Sequence, residues 1–181
     1  MNTAFDALQL LDEKSQQFSF AGINKNAVAK ENWQAIGCRV GRYYIAIGLH
    51  DVVEIALCPS YTWVPGTKKW VNGLANIRGG LALIVDLKSY FGIDETKLTS
   101  TSRVLFVRRE ELFVGLIVDQ VLGKKYFYTD EKVSHDEVYM AVKSRYFLSF
   151  IGSAYNQYEQ LWLDFNLEKL VNSQRFIDVA V

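Results

Sequence analysis

The chain has little of what most catalytic centres are built from. It holds two histidines, His50 and His135, far apart and each without a His or Cys companion at metal-ligand spacing, so no metal site is expected. Ser134-His135-Asp136 contains triad residue types, but consecutive side chains diverge and cannot form a nucleophile, base and orienter. Phosphate-loop and dinucleotide glycine patterns are missing, because no phosphate-binding helix follows Gly79-Gly80. Asp86 and Asp119 are imaginable as paired carboxylates, but a helix cap and a turn former account for them more simply. A non-enzymatic protein without cofactor is expected.

Cysteine is equally scarce. Cys38 and Cys58 are the two present, both in apolar strand-like runs without C-x-x-C spacing, as expected of buried free thiols in a reducing compartment. A basic, apolar leader is not apparent at the amino terminus, and no apolar run approaches the ~20 residues of a membrane span. The expectation is a cytoplasmic chain that reaches membranes only through partners, without direct insertion. An excess of charge is lacking too: 20 basic and 20 acidic side chains cancel. This disfavours nucleic-acid or anionic-lipid binding driven by overall charge. The local pairs Lys68-Lys69, Arg108-Arg109 and Lys124-Lys125 read as solvated turns.

What is present is apolar and strand-forming. The 181 residues are 50% hydrophobic and 14% aromatic, enough for one folded domain with a substantial core. Residues 3–18 carry a helical stripe through Ala4, Leu8, Leu11 and Phe18 behind a Thr3–Asp6 capping pattern. A connecting arm to residue 34 follows. From residue 35 the pattern is β. Ile36–Val40 and Tyr43–Ile47 flank a Gly41-Arg42 turn, and Val52–Leu57 runs to Pro59. Val104–Val107 and Leu112–Val118 flank the charged loop 108–111. Phe147–Ile151 and Leu161–Phe165 read as further strands, and Asn166 as the cap of a helix bearing Leu167, Leu170 and Val171. Gly123–Arg145 reads as irregular or short-stranded.

The densest stretch is residues 64–92. The Val64-Pro65-Gly66 turn leads to Lys68, Lys69 and Trp70, and an apolar run ends at Asn76-Ile77-Arg78-Gly79-Gly80. The paired glycines suit a tight reversal by adopting positive φ. Leu81–Val85 is apolar on both faces, as in a covered strand. Asp86 can cap a short helix that buries Leu87, Tyr90 and Phe91 and closes at Gly92.

Val64-Pro65, Asn76-Ile77-Arg78-Gly79, Val85-Asp86-Leu87, Val118-Asp119-Gln120-Val121 and Asn166-Leu167-Glu168-Lys169-Leu170 together resemble the CheW-like domain of chemotaxis coupling proteins, over about residues 35–173. Phe5-Asp6-Ala7-Leu8 and the Trp33–Gly37 entry resemble the type IV pilus (twitching-motility) branch. The resemblance implies a mainly β fold of two SH3-like five-stranded barrels with short helices and an N-terminal helix. A faint echo, Asp51-Val52-Val53 after one hairpin and Asp119-Gln120-Val121 after the other, agrees with a two-unit design. The implied organisation is residues 1–34 as helix and arm, 35–173 as the CheW-like domain and 174–181 as a tail.

The same resemblance implies an adaptor that couples the cytoplasmic tip of chemoreceptors to the regulatory domain of a CheA-like histidine kinase, in a pathway controlling twitching motility. A flagellar or other chemosensory coupler is the alternative within the class, and a small β-barrel nucleic-acid binder the alternative outside it. Candidate protein-binding residues are Arg78, Asn76, Val52, Glu54 and Trp70. Arg78 suits a partner's carboxylates or carbonyls, or else an intradomain bond to a carbonyl or to Asp86. Trp70 suits either a surface anchor or a cover between turn and sheet. Val52 and Glu54 lie on the strand that the family uses toward its kinase, although Val52 also suits the core. Lys68 stands where many relatives have a second proline, which loosens the turn.

Overall fold

The computed structural model describes residues 32–94, 97–109 and 112–179. The expected amino-terminal helix at 3–18 lies outside the described residues, as does most of the arm.

Among the described residues ten strands form two five-stranded sheets. The first four elements are β1 (Asn32–Val40), β2 (Tyr43–Gly48), β3 (Val52–Ala56) and β4 (Val71–Ile77). Then come β5 (Gly80–Asp86), α1 (Leu87–Phe91), β6 (Arg103–Arg109), β7 (Leu112–Val118) and β8 (Gln120–Tyr128). The chain closes with α2 (His135–Ala141), α3 (Arg145–Leu148), β9 (Ile151–Gln157), β10 (Gln160–Phe165), α4 (Leu167–Val171) and α5 (Gln174–Ile177).

One sheet runs β8-β1-β2-β10-β9 and the other β3-β6-β7-β5-β4. In each order the first two pairings are antiparallel, the third parallel and the last antiparallel. The two sheets are therefore copies of one plan, interlocked by exchange. After hairpin β1–β2 the chain crosses to become the edge strand of the other sheet. After hairpin β6–β7 it crosses back to do the same. The two crossings fall at Asp51 and Asp119, which gives the faint sequence echo a structural meaning.

Each sheet curls around a small core of its own. Ala75, Ala82, Ile84, Val104, Phe106 and Phe113 are central to one. Ala35, Ala46, Phe127 and Trp162 form the other. A larger core lies between the sheets and takes in Ile45, Val85, Leu105, Leu116, Tyr90 and Phe165. This is why β6 reads as a solid apolar run: Val104 and Phe106 face their own barrel while Leu105 and Val107 face the other. Neither barrel closes through a continuous ladder. Isolated bridges, Thr62 to Leu74 in one and Lys132 to Tyr155 in the other, reach across each seam. The fold expected from the resemblance holds, with seams left partly open.

The local caps fall where the sequence places them. Asp86 accepts from the Lys88 and Ser89 amides, and Gly92 ends α1 with φ 65°. Asn166 accepts from the Lys169 amide at the start of α4.

Two expectations need correction. Phe147–Ile151 is not a strand: the Ser144 side chain caps α3 by accepting from the Phe147 amide, and the strand begins at Ile151. The region 123–145 is neither irregular nor only short-stranded. It begins within the nine-residue β8, which β1 pairs over most of its length, and continues into α2, whose cap is Ser134. The tail expected from 174 begins with α5, which buries Phe176 against Trp70 and Tyr90 with ring centroids 5.7 and 5.6 Å apart.

Candidate protein-binding site

The β4–β5 hairpin turns on two residues, Arg78 and Gly79, with φ of 50° and 82°. A two-residue loop with both φ positive is the hairpin turn that matches strand twist. The positive φ thus falls on Arg78 and Gly79, whereas Gly80 is already in β5. Asn76 shapes this turn, its Oδ1 accepting from the Gly79 amide at 3.0 Å. An arginine in the left-handed region carries a conformational cost that asparagine or glycine would avoid. Its side chain meanwhile gains no burial and stays 80% exposed.

Arg78 does not reach Asp86, which caps α1 instead. Its Nη2 donates to Glu54 Oε1 at 2.9 Å. Glu54 lies on β3, one edge of its sheet, and the hairpin belongs to the other edge pair. The ion pair therefore spans the open seam of the barrel. Two sequence candidates that lie 24 residues apart meet here. Beside them a cleft of about 250 Å³ is lined by Val53, Ile77, Arg108 and Phe113 in addition to the pair. The Arg108 guanidinium lies 4.3 Å from the Phe113 ring centroid, so a second cation borders the same cleft.

Val52 packs partly buried against the inter-sheet core. The residues that sequence reasoning missed are its neighbours Val53, Ile55 and Leu57, which are exposed by 60%, 39% and 66%. The signal existed, since β3 is apolar at nearly every position, but only its place as an edge strand leaves that side uncovered. An exposed apolar edge beside a charged pair is a surface suited to a protein partner.

Trp70 is not part of this surface. It is 4% exposed, with the Tyr90 ring edge-on at 5.0 Å and the Phe176 ring stacked at 5.7 Å. Of its two sequence readings the structure places it as the cover of the core. Among the described residues, no group of three or more His, Cys, Asp or Glu side chains is arranged to hold a metal ion. Also among them, no helix is long and apolar enough to cross a membrane. Burial raises the Cys38 thiol to about 12, so this free cysteine is an inert core residue.

Two interlocked five-stranded sheets form a double-barrel module, with a charged hairpin tip beside an apolar edge. The chain belongs to the CheW-like domain family, whose model matches residues 34–175. It is 34% identical to the protein PilI of Pseudomonas aeruginosa over 184 aligned positions, covering all of this chain and 98% of that one. It is 30% identical to the chemotaxis protein CheW of Helicobacter pylori over 113 positions, 62% of this chain and 68% of the other. The crystal structure of the scaffolding protein TtCheW from Thermoanaerobacter tengcongensis superposes with a TM-score of 0.68, covering 80% of this chain and 96% of that chain at 21% identity. That last likeness concerns the fold.

Proposed function

We propose that this protein is a non-catalytic cytoplasmic adaptor that couples chemoreceptor tips to a CheA-like histidine kinase in a chemosensory pathway controlling type IV pilus twitching. The pilus assignment rests on full-length similarity to PilI, where the similarity to CheW of Helicobacter pylori covers 62% of the chain. The observation that carries the adaptor reading is the Arg78–Glu54 pair on an otherwise apolar barrel edge. Arg78 offers its remaining donors outward to acceptors on a receptor tip. The β3 edge, with Val53, Ile55 and Leu57 exposed, offers apolar area and free backbone groups to the kinase's regulatory domain. An adaptor holding both partners favours the receptor–kinase arrangement it binds best and so shifts its population.

The test is a pull-down with the tagged full chain from its native lysate, repeated with Arg78→Glu. The expected result is recovery of a multidomain histidine kinase by both proteins, with receptor retained only by the wild type. Loss of a hot-spot arginine costs about 2 kcal/mol, roughly thirtyfold in affinity, and charge reversal adds repulsion. Failure to recover any histidine kinase would overturn the pathway. Equal receptor recovery by both proteins would remove Arg78 from the receptor face.

A further inference from the structure

The chain is neutral as a whole, yet one place concentrates positive charge. Between the turn before β4 and helix α5 lies an open cleft of about 570 Å³ lined by Lys68, Lys69, Trp70, Gln174, Arg175 and Asp178. Three cations face it against one carboxylate. Neither lysine has an ion-pair partner among the described residues. The Arg175 guanidinium lies 5.0 Å from the ring centroids of both Tyr90 and Tyr146, which orients it without neutralising it. We propose that this cleft binds an acidic segment of a protein partner, one presenting several neighbouring Asp or Glu side chains.

The walls are held in place before any ligand arrives. The Lys68 amide donates to the Val179 carbonyl at 2.9 Å, and the Val71 amide to the Lys68 carbonyl at 2.9 Å. Stacking of Phe176 on Trp70 ties α5 to the start of β4. Like charges are thus kept together by packing that the unbound protein already makes, and an anionic segment relieves their repulsion at little ordering cost.

The chemistry of the cleft favours carboxylates on an extended chain over other anions. A nucleotide needs an aromatic face for its base, and Trp70, stacked by Phe176 and only 4% exposed, offers none. A compact phosphate needs converging amides, and the Lys68 and Val71 amides are already bonded to carbonyls. The cleft is also separate from the Arg78 surface. Trp70 and Arg78 flank the seven-residue β4, on the order of 25 Å apart at ~3.3 Å per residue. The proposal therefore stands whether or not Arg78 meets a receptor.

The test uses the full chain and a fluorescein-labelled hexaglutamate peptide, followed by anisotropy at low salt. Saturable binding is expected, weakening as salt rises. Lys68→Glu/Lys69→Glu should weaken it at least about tenfold with an unchanged melting temperature, and Asp178→Asn should strengthen it. Lys124→Glu/Lys125→Glu, on β8, and Arg78→Glu should leave it unchanged. Absence of binding, or equal loss in the β8 control, overturns the proposal. So does displacement by inorganic phosphate at equal concentration, or binding to phosphatidylserine vesicles with none to the peptide.

Discussion

Lys88 Nζ lies 2.8 Å from Asp119 Oδ1, with the two side chains only 11% and 12% exposed. Lys88 belongs to α1, which follows β5 in one barrel, and Asp119 is the residue at which the chain crosses to the other. Asp119 Oδ2 also accepts from the Gly41 amide at 2.6 Å, and its own amide donates to the Arg39 carbonyl at 3.0 Å. One carboxylate thus joins a helix, a crossing and the β1–β2 turn. It adds a polar fastening to the apolar core that joins the two barrels.

Removing one member of this pair should therefore be costly. Lys88→Ala or Asp119→Ala is expected to destabilise by about 3–5 kcal/mol, because each leaves a buried charge uncompensated. Asp119→Ala should be the worse of the two, since it also strands the Gly41 amide. Urea unfolding curves of the variants check both statements. A loss below about 1 kcal/mol would place the pair among solvated surface pairs.

Arg78→Asn separates stability from binding. The turn requires φ of 50° at this residue, which asparagine accepts more readily than arginine. The exposed ion pair that is lost contributes about 0–1 kcal/mol. Stability should be unchanged or higher while partner binding falls, a balance seen when a strained residue is kept for function. A melting temperature lowered by many degrees would instead make the pair a structural clasp.

The corresponding hairpin of the other barrel allows a matching test. Tyr158 and Glu159 occupy its turn with φ of 52° and 61°, and Tyr158 is 94% exposed. Replacing them by Asn-Gly should raise stability by about 1 kcal/mol, read from chemical denaturation. No gain would show that the turn is already relaxed with these residues.

Gly73→Ala should fail to close its barrel. Gly73 has φ of 146°, and an added Cβ would meet the Thr62 carbonyl oxygen. That carbonyl accepts from the Leu74 amide in the bridge across the seam. A loss of several kcal/mol or more is expected, seen as low soluble yield or an early thermal transition. Wild-type melting would mean that the 58–66 segment moves aside freely.

Asp164 gives a pH dependence with a definite sign. Burial is the main cause that raises its carboxyl from 3.8 to about 6, with Asp51 adding and Lys132 and Ser153 opposing. The folded state therefore holds this proton more tightly than the unfolded state. The penalty is absent below about pH 4, grows as pH rises toward 6 and is complete above it. Partial exposure reduces the effect to on the order of 1–2 kcal/mol. Asp164→Asn should be more stable than wild type at pH 8 and lose that advantage near pH 4, by denaturation at both values. An advantage that is the same at both would assign it to something other than titration.

Some of this architecture was legible in the sequence because it is made within a few residues. The Asp86 and Asn166 caps, the turns at Gly41-Arg42 and Arg78-Gly79 and the apolar spacing within α1 and α4 are each set within four residues along the chain. Their residue types state them directly. The motif set likewise pointed to the family and to Arg78.

Tertiary structure decided what depends on distant partners. Residues 123–145 are polar enough to read as irregular or short-stranded, and their first part completes a long strand because β1 offers an unpaired edge. Residues 147–151 are apolar enough to read as a strand, and they turn helical at Ser144 so that Phe147 and Phe150 enter the inter-sheet core. Trp70 had two readings until Phe176, from the carboxy-terminal helix, covered it. Arg78 met Glu54 only because curling of the sheet brought two edge strands together. The physical reason is common to all four: edge pairing and burial reward contacts between segments whose separation along the chain carries no local signal.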